Sequence, residues 1–289
     1  MLLVIGATGN IGRHLVPDLV ARGEKVRVVS RRAGHVPDVL GREVAEVLEV
    51  VEGDVRDRNL LAAALDGVER AFVTLPGSAD QAELEAGVYE AAARAGLRQL
   101  VKISVIGPAE DHVVPYARYQ FEAERALAAS GVPATIVRPN WFAENFLGSA
   151  PTIAGQGAVY GSAGDGRVAF VDSRDTAAVT AHVLTTPGHE GREYVVTGPE
   201  SLTFAEAAAR IGEGLGRQVT YVDLDDDAFA AALTQAGLPP EVGAAVVAIN
   251  RNARRGALAG VSSTVPDLLG RPATPLARWA SDNAGAFSG

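Results

Sequence analysis

An α/β fold built on a doubly wound parallel sheet, with a smaller C-terminal lobe, is predicted by three features of this chain. The first is an apolar run at the very start, Leu2 to Ile5, which passes through Gly6, Gly9 and Gly12 into a helical pattern. The second is a regular alternation of short apolar segments with amphipathic ones, joined by brief connections, up to residue 139. The third is a change beyond that point, where glycines crowd positions 155 to 166 and the alternation loosens.

The opening segment carries the most chemistry. An all-apolar strand suits a central position in a parallel sheet, where both faces are covered. Gly6 permits a sharp exit from that strand, Gly9 lets backbone amides approach a pyrophosphate, and Gly12 lets the next helix pack closely on the sheet. The helix start then offers free N–H groups and a partial positive charge to phosphates. Strand, glycine turn and helix in this order form the dinucleotide-binding fingerprint of a Rossmann domain. Its candidate cofactor-binding residues are Gly6, Thr8, Gly9, Asn10, Ile11 and Gly12.

The first helix follows from Ile11, Leu15, Leu19 and Val20 at helical spacing, with Gly23 placed as its C-cap. A second strand, Val26 to Ser30, ends in Arg31 and Arg32. An acidic residue at this strand end would hold a ribose 2′-hydroxyl, whereas an arginine accommodates a 2′-phosphate. Ser30, Arg31 and Arg32 therefore read as cofactor-binding, and the cofactor as NADP(H), with NAD(H) the alternative. Further strands are predicted at 47–51, 71–75, 100–104 and 134–137, and helices at 60–65, 79–95 and 116–129. Ligands of such sheets lie beyond the carboxyl ends of the strands. That rule singles out Gly6 to Gly12, Arg31, Asp54, Leu75, Pro76, Ser104 and the stretch from Asn140 to Phe142.

Residues 1–139 read as the dinucleotide-binding domain and 140–289 as a smaller substrate-binding lobe, with some segments returning to the main sheet. In the lobe, an apolar run at 168–171 precedes a helix from Asp175. Strands at 193–197 and 219–222, an alanine-rich helix after Phe204 and helices at 229–235 and 241–251 complete it.

Composition narrows the function. With 289 residues, 47% hydrophobic and 21% charged, the chain can bury a sizeable core. A net charge of −9 leaves no basic stripe, so binding to nucleic acid through phosphate neutralisation is not expected. The absence of cysteine excludes disulfides, thiolate catalysis and thiolate-bound metals. No uninterrupted apolar stretch has membrane-spanning length, and no signal-like segment stands before the first strand. A cytoplasmic protein acting on a small molecule, as a monomer or homodimer, is expected.

Four segments stand together in this chain: Gly6-Ala7-Thr8-Gly9-Asn10-Ile11-Gly12, Gly53-Asp54-Val55, Arg138-Pro139-Asn140-Trp141-Phe142 and Phe170-Val171-Asp172-Ser173-Arg174-Asp175. In this combination, and over nearly its whole length, the sequence resembles the NmrA-like branch of the extended, atypical short-chain dehydrogenase/reductases. That branch includes quinone oxidoreductases, triphenylmethane reductase, azoreductases and bacterial relatives of ergot-alkaloid biosynthesis enzymes. It also includes redox sensors that bind dinucleotide without turning over a substrate. The resemblance implies that Asp54 and Val55 contact the adenine, and Leu75 and Pro76 the ribose near the nicotinamide. It implies that Asn140 and Phe142 belong to the nicotinamide pocket.

The catalytic question turns on one helix. Reductases of the wider superfamily place a Ser after the fifth strand and a Tyr-x-x-x-Lys on the next helix, where a spacing of four puts both on one face. The ammonium lowers the phenol pKa and makes the Tyr a usable acid or base. Here Ser104 follows the fifth strand, and the helix carries Tyr116 with Gln120 in the place of the lysine. Tyr116, Ser104 and Gln120 are the candidate catalytic residues. An amide brings no charge, so Tyr116 is expected to keep a pKa near the ordinary value of about 10 and to act as a hydrogen-bond donor. Lysine occurs in this chain only as Lys25 and Lys102. Strand alternation puts Lys102 on the side of Ser104 but deeper, and a sheet-edge charge is the other reading. The chemistry that suits a missing lysine is hydride transfer to an acceptor that stabilises charge itself: a quinone, conjugated enone, iminium ion or cationic dye.

His112, Trp141 and Phe146 are candidate substrate contacts. The two aromatics read equally well as core packing behind the sixth strand, and His112 as a surface histidine. The remaining histidines show no metal-ligand spacing, and no metal is assigned. Asp223, Asp225, Asp226 and Asp227 read as a charged loop that caps the helix at Phe229. Two functions stand at this point. One is an NADPH-dependent reductase of a conjugated or aromatic acceptor in secondary metabolism. The other is a non-catalytic NADP(H)-binding redox sensor acting through a protein partner.

Overall fold

The structure, a computed structural model, describes residues 1–288. In chain order its first strands are β1 (Leu2–Ile5), β2 (Val26–Ser30), β3 (Glu49–Glu52), β4 (Arg70–Val73), β5 (Gln99–Ile103) and β6 (Ala134–Pro139). They are followed by β7 (Ala158–Gly161), β8 (Arg167–Val168), β9 (Glu193–Val196), β10 (Leu202–Thr203) and β11 (Thr220–Asp223). The helices begin with α1 (Gly12–Ala21), α2 (Val36–Leu40), α3 (Arg42–Glu46), α4 (Arg58–Leu65), α5 (Gln81–Ala95) and α6 (Pro115–Ser130). Then come α7 (Ala150–Gln156), α8 (Ser173–Thr185), α9 (Phe204–Leu215), α10 (Asp226–Gln235), α11 (Pro240–Arg254), α12 (Thr264–Leu269) and α13 (Leu276–Asp282).

Seven strands form one sheet in the order β3-β2-β1-β4-β5-β6-β9. β1 takes the interior position because all four of its residues are apolar and all are buried. It pairs in parallel on both sides, with Val4 opposite Val28 of β2 and Phe72 of β4. The direction of strand addition reverses between β1 and β4, which makes the carboxyl end of β1 a topological switch point. The glycine turn leaves β1 at this point. β9 adds beside β6, where the Ile136 N–H donates to the Arg192 carbonyl at 3.0 Å. This is the doubly wound parallel fold read from the alternation.

The contacts gather the chain into two compact units. The first holds Met1–His112, Tyr116–Arg138 and Thr176–Val195, and the second Val113–Pro115, Pro139–Asp175 and the chain from Val196 onward. In the first unit, Leu3, Ile5, Val73 and Leu100 of the sheet pack with Leu61 and Leu65 of α4 and Val88 of α5. In the second, Phe146, Ile153, Phe170, Phe204, Ile211 and Trp279 form the centre of a separate apolar cluster. Two small sheets belong to this unit, β8 with β10 antiparallel and β7 with β11 parallel. α9 starts on a capping box: the Thr203 hydroxyl accepts from the Glu206 N–H at 3.1 Å, and the Glu206 carboxylate accepts from the Thr203 N–H at 2.9 Å.

Several boundaries differ from the sequence reading for local reasons. Val47, expected in the third strand, ends α3 instead and is 62% exposed. Of the apolar run at 168–171, only Val168 lies in a strand, β8, and Val171 makes an isolated bridge to Phe142. The short helices α2, α3, α12 and α13 carried too few turns for their periodicity to be read. Among the described residues, no helix is long and apolar enough to cross a membrane.

Candidate functional site

The glycine turn is held by backbone packing. Gly6 has φ +94°, a left-handed conformation, and a Cβ there would run into the Thr74 carbonyl. A Cβ at Gly12 would run into the carbonyls of Gly6 and Ala7. Gly9 differs: its φ is ordinary, it is exposed, and a Cβ there would lie 3.4 Å from the Gly6 oxygen, at ordinary contact distance. Nothing inside the protein requires glycine at this position, so the space kept open lies on the ligand side. α1 begins without a side-chain cap and without an acidic residue in its first turn. Its leading N–H groups and partial positive charge are therefore available to an anion, and the residues present fit a dinucleotide pyrophosphate.

The other predicted cofactor residues sit after successive strands of the same sheet. Arg31 and Arg32, after β2, are exposed, and the Ser30 hydroxyl bonds both the N–H (3.2 Å) and the carbonyl (3.0 Å) of Arg32. Asp54, after β3, accepts from the Arg56 N–H at 2.9 Å, while the Arg56 guanidinium spans Asp54 (3.2 Å) and Asp80 (2.5 Å). Val55 and Leu75 pack their side chains against the core of the first unit. Thr8 and Asn10 are at the surface of the turn, whereas Ile11 is buried beneath it.

Beyond β5 the structure departs from expectation. Ser104 is buried, its hydroxyl donates to the Glu124 carboxylate, and it accepts from Arg138 Nη1 at 3.3 Å. Arg138 also clamps Glu124 with both terminal nitrogens, at 2.6 and 3.0 Å, and reaches Glu193 through Nε at 2.9 Å. This hydroxyl is committed to a buried ion pair. Lys102 is not a sheet-edge charge, because β5 is interior and the side chain is fully buried. Its Nζ lies 2.5 Å from Glu85 Oε2, 2.7 Å from Gln120 Oε1 and 3.3 Å from the Ile103 carbonyl. Burial pulls its pKa down, and Glu85 opposes that shift. Glu85 also accepts from Gln81 Nε2 at 2.8 Å and from the Tyr89 hydroxyl.

Tyr116 stands at the first turn of α6 and is partly buried. Its ring lies directly against Gly77, where any Cβ would strike the ring carbons. The phenol therefore sits beside the chain that leaves β4 through Leu75 and Pro76. Its pKa does not stay near 10. Burial pushes it up to about 12, with the neighbouring Gln120 amide acting the other way. Gln120, one turn further, is 1% exposed. His112 precedes this helix, half-buried, and its carbonyl accepts from Arg118 at 2.7 Å.

The candidates beyond residue 139 lie in the second unit and serve its architecture. Asn140 is buried; its amide donates to the Leu258 carbonyl and its oxygen accepts from the Trp141 N–H, both at 2.8 Å. Trp141 packs edge-on to Phe204 with ring centroids 5.3 Å apart. Phe142 bridges to Val171. Phe146 is 4% exposed and packs on Phe170 at 5.1 Å, so core packing replaces the substrate contact considered for it. The aspartate group likewise disperses into structural roles. Asp225 caps α10 through the Ala228 N–H at 2.7 Å, Asp226 pairs with Arg251 and Arg254, and Asp223 accepts from Tyr221.

The sequence reading missed Glu85, Gln81, Tyr89 and Gly77. The first three recur every four residues on α5, a polar stripe on a face that turns out to be buried. That stripe was legible, but its partner Lys102 comes from another element.

A glycine turn of this shape at the switch point of a doubly wound sheet defines a dinucleotide-binding protein. Residues 6–187 match the NAD(P)H-binding family. The chain is 37% identical, over 99% of both chains, to an NAD(P)H azoreductase of Xenophilus azovorans. It is 42% identical to a (4-alkanoyl-5-oxo-2,5-dihydrofuran-3-yl)methyl phosphate reductase of Streptomyces griseus, over 100% of this chain and 99% of the relative. The solved structure of an NADPH-dependent quinone oxidoreductase from Escherichia coli, complexed with NADPH, superposes with a TM-score of 0.88. That match has 31% identity and covers 98% of this chain and 99% of the other. The chain belongs to the NAD(P)H-binding family, and it is an oxidoreductase.

Proposed function

We propose that this protein is an NADPH-dependent reductase of a small conjugated or aromatic acceptor, of the quinone, enone, iminium or dye type. The observation that carries the reading is the state of Tyr116. Its phenol stands beside the exit of β4, with the Gln120 amide four residues on where relatives of the wider superfamily have an ammonium, and burial pushes its pKa up to about 12. Such a group donates a hydrogen bond but is not activated as an acid toward an unactivated ketone. The acceptor must therefore carry its own charge as it is reduced, which conjugated systems do.

When bound, the nicotinamide supplies the hydride. The glycine turn from Gly6 to Gly12 would hold the pyrophosphate on backbone amides, and Arg31 and Arg32 the 2′-phosphate. Asp54 and Val55 would flank the adenine, and Leu75 and Pro76 the ribose. A quinone or enone gains one hydride, with its two electrons, and one proton, whereas an iminium ion or cationic dye is neutralised by the hydride alone. Where a proton is needed it comes from the Tyr116 hydroxyl, which is then reprotonated from solvent, or from water. The names of the azoreductase and quinone oxidoreductase relatives support the same acceptor class.

Anaerobic mixing of the NADPH-loaded protein with a panel of quinones, azo dyes and cationic dyes tests the reading. Oxidation of NADPH by at least one of them is expected, and silence across the panel at full cofactor occupancy overturns it. For the cofactor, Arg31→Ala is expected to weaken NADPH binding by about tenfold or more, the worth of a charge-assisted hydrogen bond, and to leave NADH unchanged. Equal losses for both nucleotides in a titration would remove the role given to this residue.

A further inference from the structure

A glycine is required either for its backbone conformation or for the space that a Cβ would fill. At position 77 only the second reason holds. Gly77 is not among the glycines with positive φ, so its backbone is open to other residues. It is also exposed, on the connection that leaves β4. Yet a Cβ there would stand 2.7 Å from Cε2 of Tyr116 and closer still to Cδ2. The nearest atoms all belong to this one ring. The space kept open at residue 77 is the space the Tyr116 ring occupies.

The connection itself is pinned at both ends. The Thr74 N–H donates to the Ile5 carbonyl at 3.2 Å, which holds its start to β1. Pro76 fixes its own φ. The Ser78 hydroxyl donates to Asp80 Oδ1 at 2.6 Å, and the Ser78 carbonyl accepts from the Gln81 N–H at 3.0 Å, which ties its far end to α5. Arg56 reaches Asp80 from the neighbouring loop at 2.5 Å. The ring, by contrast, turns on two rotatable bonds. A Cβ at residue 77 is therefore accommodated by swinging the ring and not by moving the connection.

We infer that Gly77 is a positioning residue for Tyr116: the connection from β4 to α5 is a seat for the ring, and the missing Cβ sets where the phenol stands. The same connection carries Leu75 and Pro76, proposed above to flank the ribose. One segment would then place both the acid and the cofactor it serves. A misplacement of about 1 Å between reacting groups costs about 100-fold in rate, so the seat matters to turnover. The inference rests on the reductase reading for that consequence, but the contact between Gly77 and Tyr116 is measurable without cofactor.

The test compares Gly77→Ala, Tyr116→Phe and the double variant in the full chain. It reads kcat and KM for NADPH oxidation by 1,4-naphthoquinone, and the Tyr116 resonance of 13Cζ-tyrosine-labelled protein, assigned through Tyr116→Phe. Gly87→Ala, at a glycine of α5 with open space around it, controls for the exchange itself and is expected to change neither readout. Gly77→Ala is expected to shift the Tyr116 resonance and lower kcat about tenfold, with NADPH affinity retained. In the Tyr116→Phe background the same substitution is expected to lower kcat by less than about twofold, because no hydroxyl is left to misplace. Equal losses in the two backgrounds overturn the inference, since a purely structural glycine would behave that way. So does an unmoved resonance, or a loss of NADPH affinity that matches the loss of kcat. Should Gly77→Ala fail to fold, the Gly77 amide resonance decides. It is expected to move in Tyr116→Leu, which removes the ring, and to stay in Tyr116→Phe, which keeps it; equal movement, or none, overturns the inference. If the natural chain oxidises no NADPH, or Tyr116→Phe oxidises it as fast, the reductase reading or its acid falls. The resonances still decide whether Gly77 seats the ring.

Discussion

The first unit buries a knot of polar side chains around Lys102, and the second buries a knot of rings around Phe204. In the second unit, Trp141, Phe146 and Phe170 surround Phe204 with centroids 5.3 to 6.2 Å away, in edge-on and tilted arrangements. Burial of apolar area accounts for this cluster, and no ligand is needed to justify it. The knot of the first unit is different in kind. Lys102, Glu85, Gln81 and Gln120 are all nearly inaccessible, and apart from the unpartnered Gln81 Oε1 they are tolerable because another member answers their charge or hydrogen bond. Aromatic residues near a predicted pocket turned out to be scaffold, and a lysine near a predicted active helix turned out to be wired to it. Burial that explains itself argues for packing, whereas burial that needs partners argues for asking where the last partner leads.

The largest effect tests the difference directly. Lys102→Met alone is expected to destabilise the protein by about 3–5 kcal/mol, because it leaves the buried Glu85 carboxyl without its ion-pair partner, while adding Glu85→Gln recovers most of the loss. Urea unfolding measures both. A single-variant cost below about 1 kcal/mol would mean that Glu85 already has access to water, and the contrast between the two knots would collapse. The aromatic knot should respond by volume instead. Phe204→Ala is expected to cost about 3–5 kcal/mol. Phe204→Leu, which keeps most of the volume, is expected to cost less than that by a factor of about two or more. Equal costs for the two substitutions would show that ring geometry, and not filling, holds the second unit.

The unequal legibility of these regions has a physical basis. The glycine turn announced itself because strand exit, phosphate approach and helix packing are all met within seven residues, from Gly6 to Gly12. The alternation to residue 139 marked the sheet, and the four-residue spacing put Tyr116 and Gln120 on one inward face of α6. Lys102 was placed on the side of Ser104 but not paired, since Glu85 arrives from α5, and strand periodicity says nothing about what covers a face. Ser104 looked free for the same reason: Glu124 and Arg138 reach it from α6 and β6. The phenol pKa was misjudged because only the missing ammonium was counted, and burial was not. Phe146 was ambiguous because an aromatic behind a strand has the same spacing whether it faces a ligand or Phe170.

The smallest expected effect probes the polar knot at its outer end. In the folded chain burial raises the Tyr116 phenol to about 12, whereas in the unfolded chain it titrates near about 10. A raised folded pKa means that the unfolded state loses its proton first. The stabilising contribution of this phenol is therefore complete below about pH 10 and drains away as the pH rises toward about 12. Tyr116→Phe removes the titrating group, so its stability is expected to fall less steeply than that of the natural chain over this interval. Tyr89 and Tyr221, also pushed upward, are present in both proteins and cancel in the comparison. Paired urea titrations at about pH 8 and about pH 11 measure the difference in slope, and parallel curves would show that the phenol ionises as freely folded as unfolded. In that case the hydroxyl is open to solvent, and the acid of the proposed reaction is no longer held neutral by its surroundings.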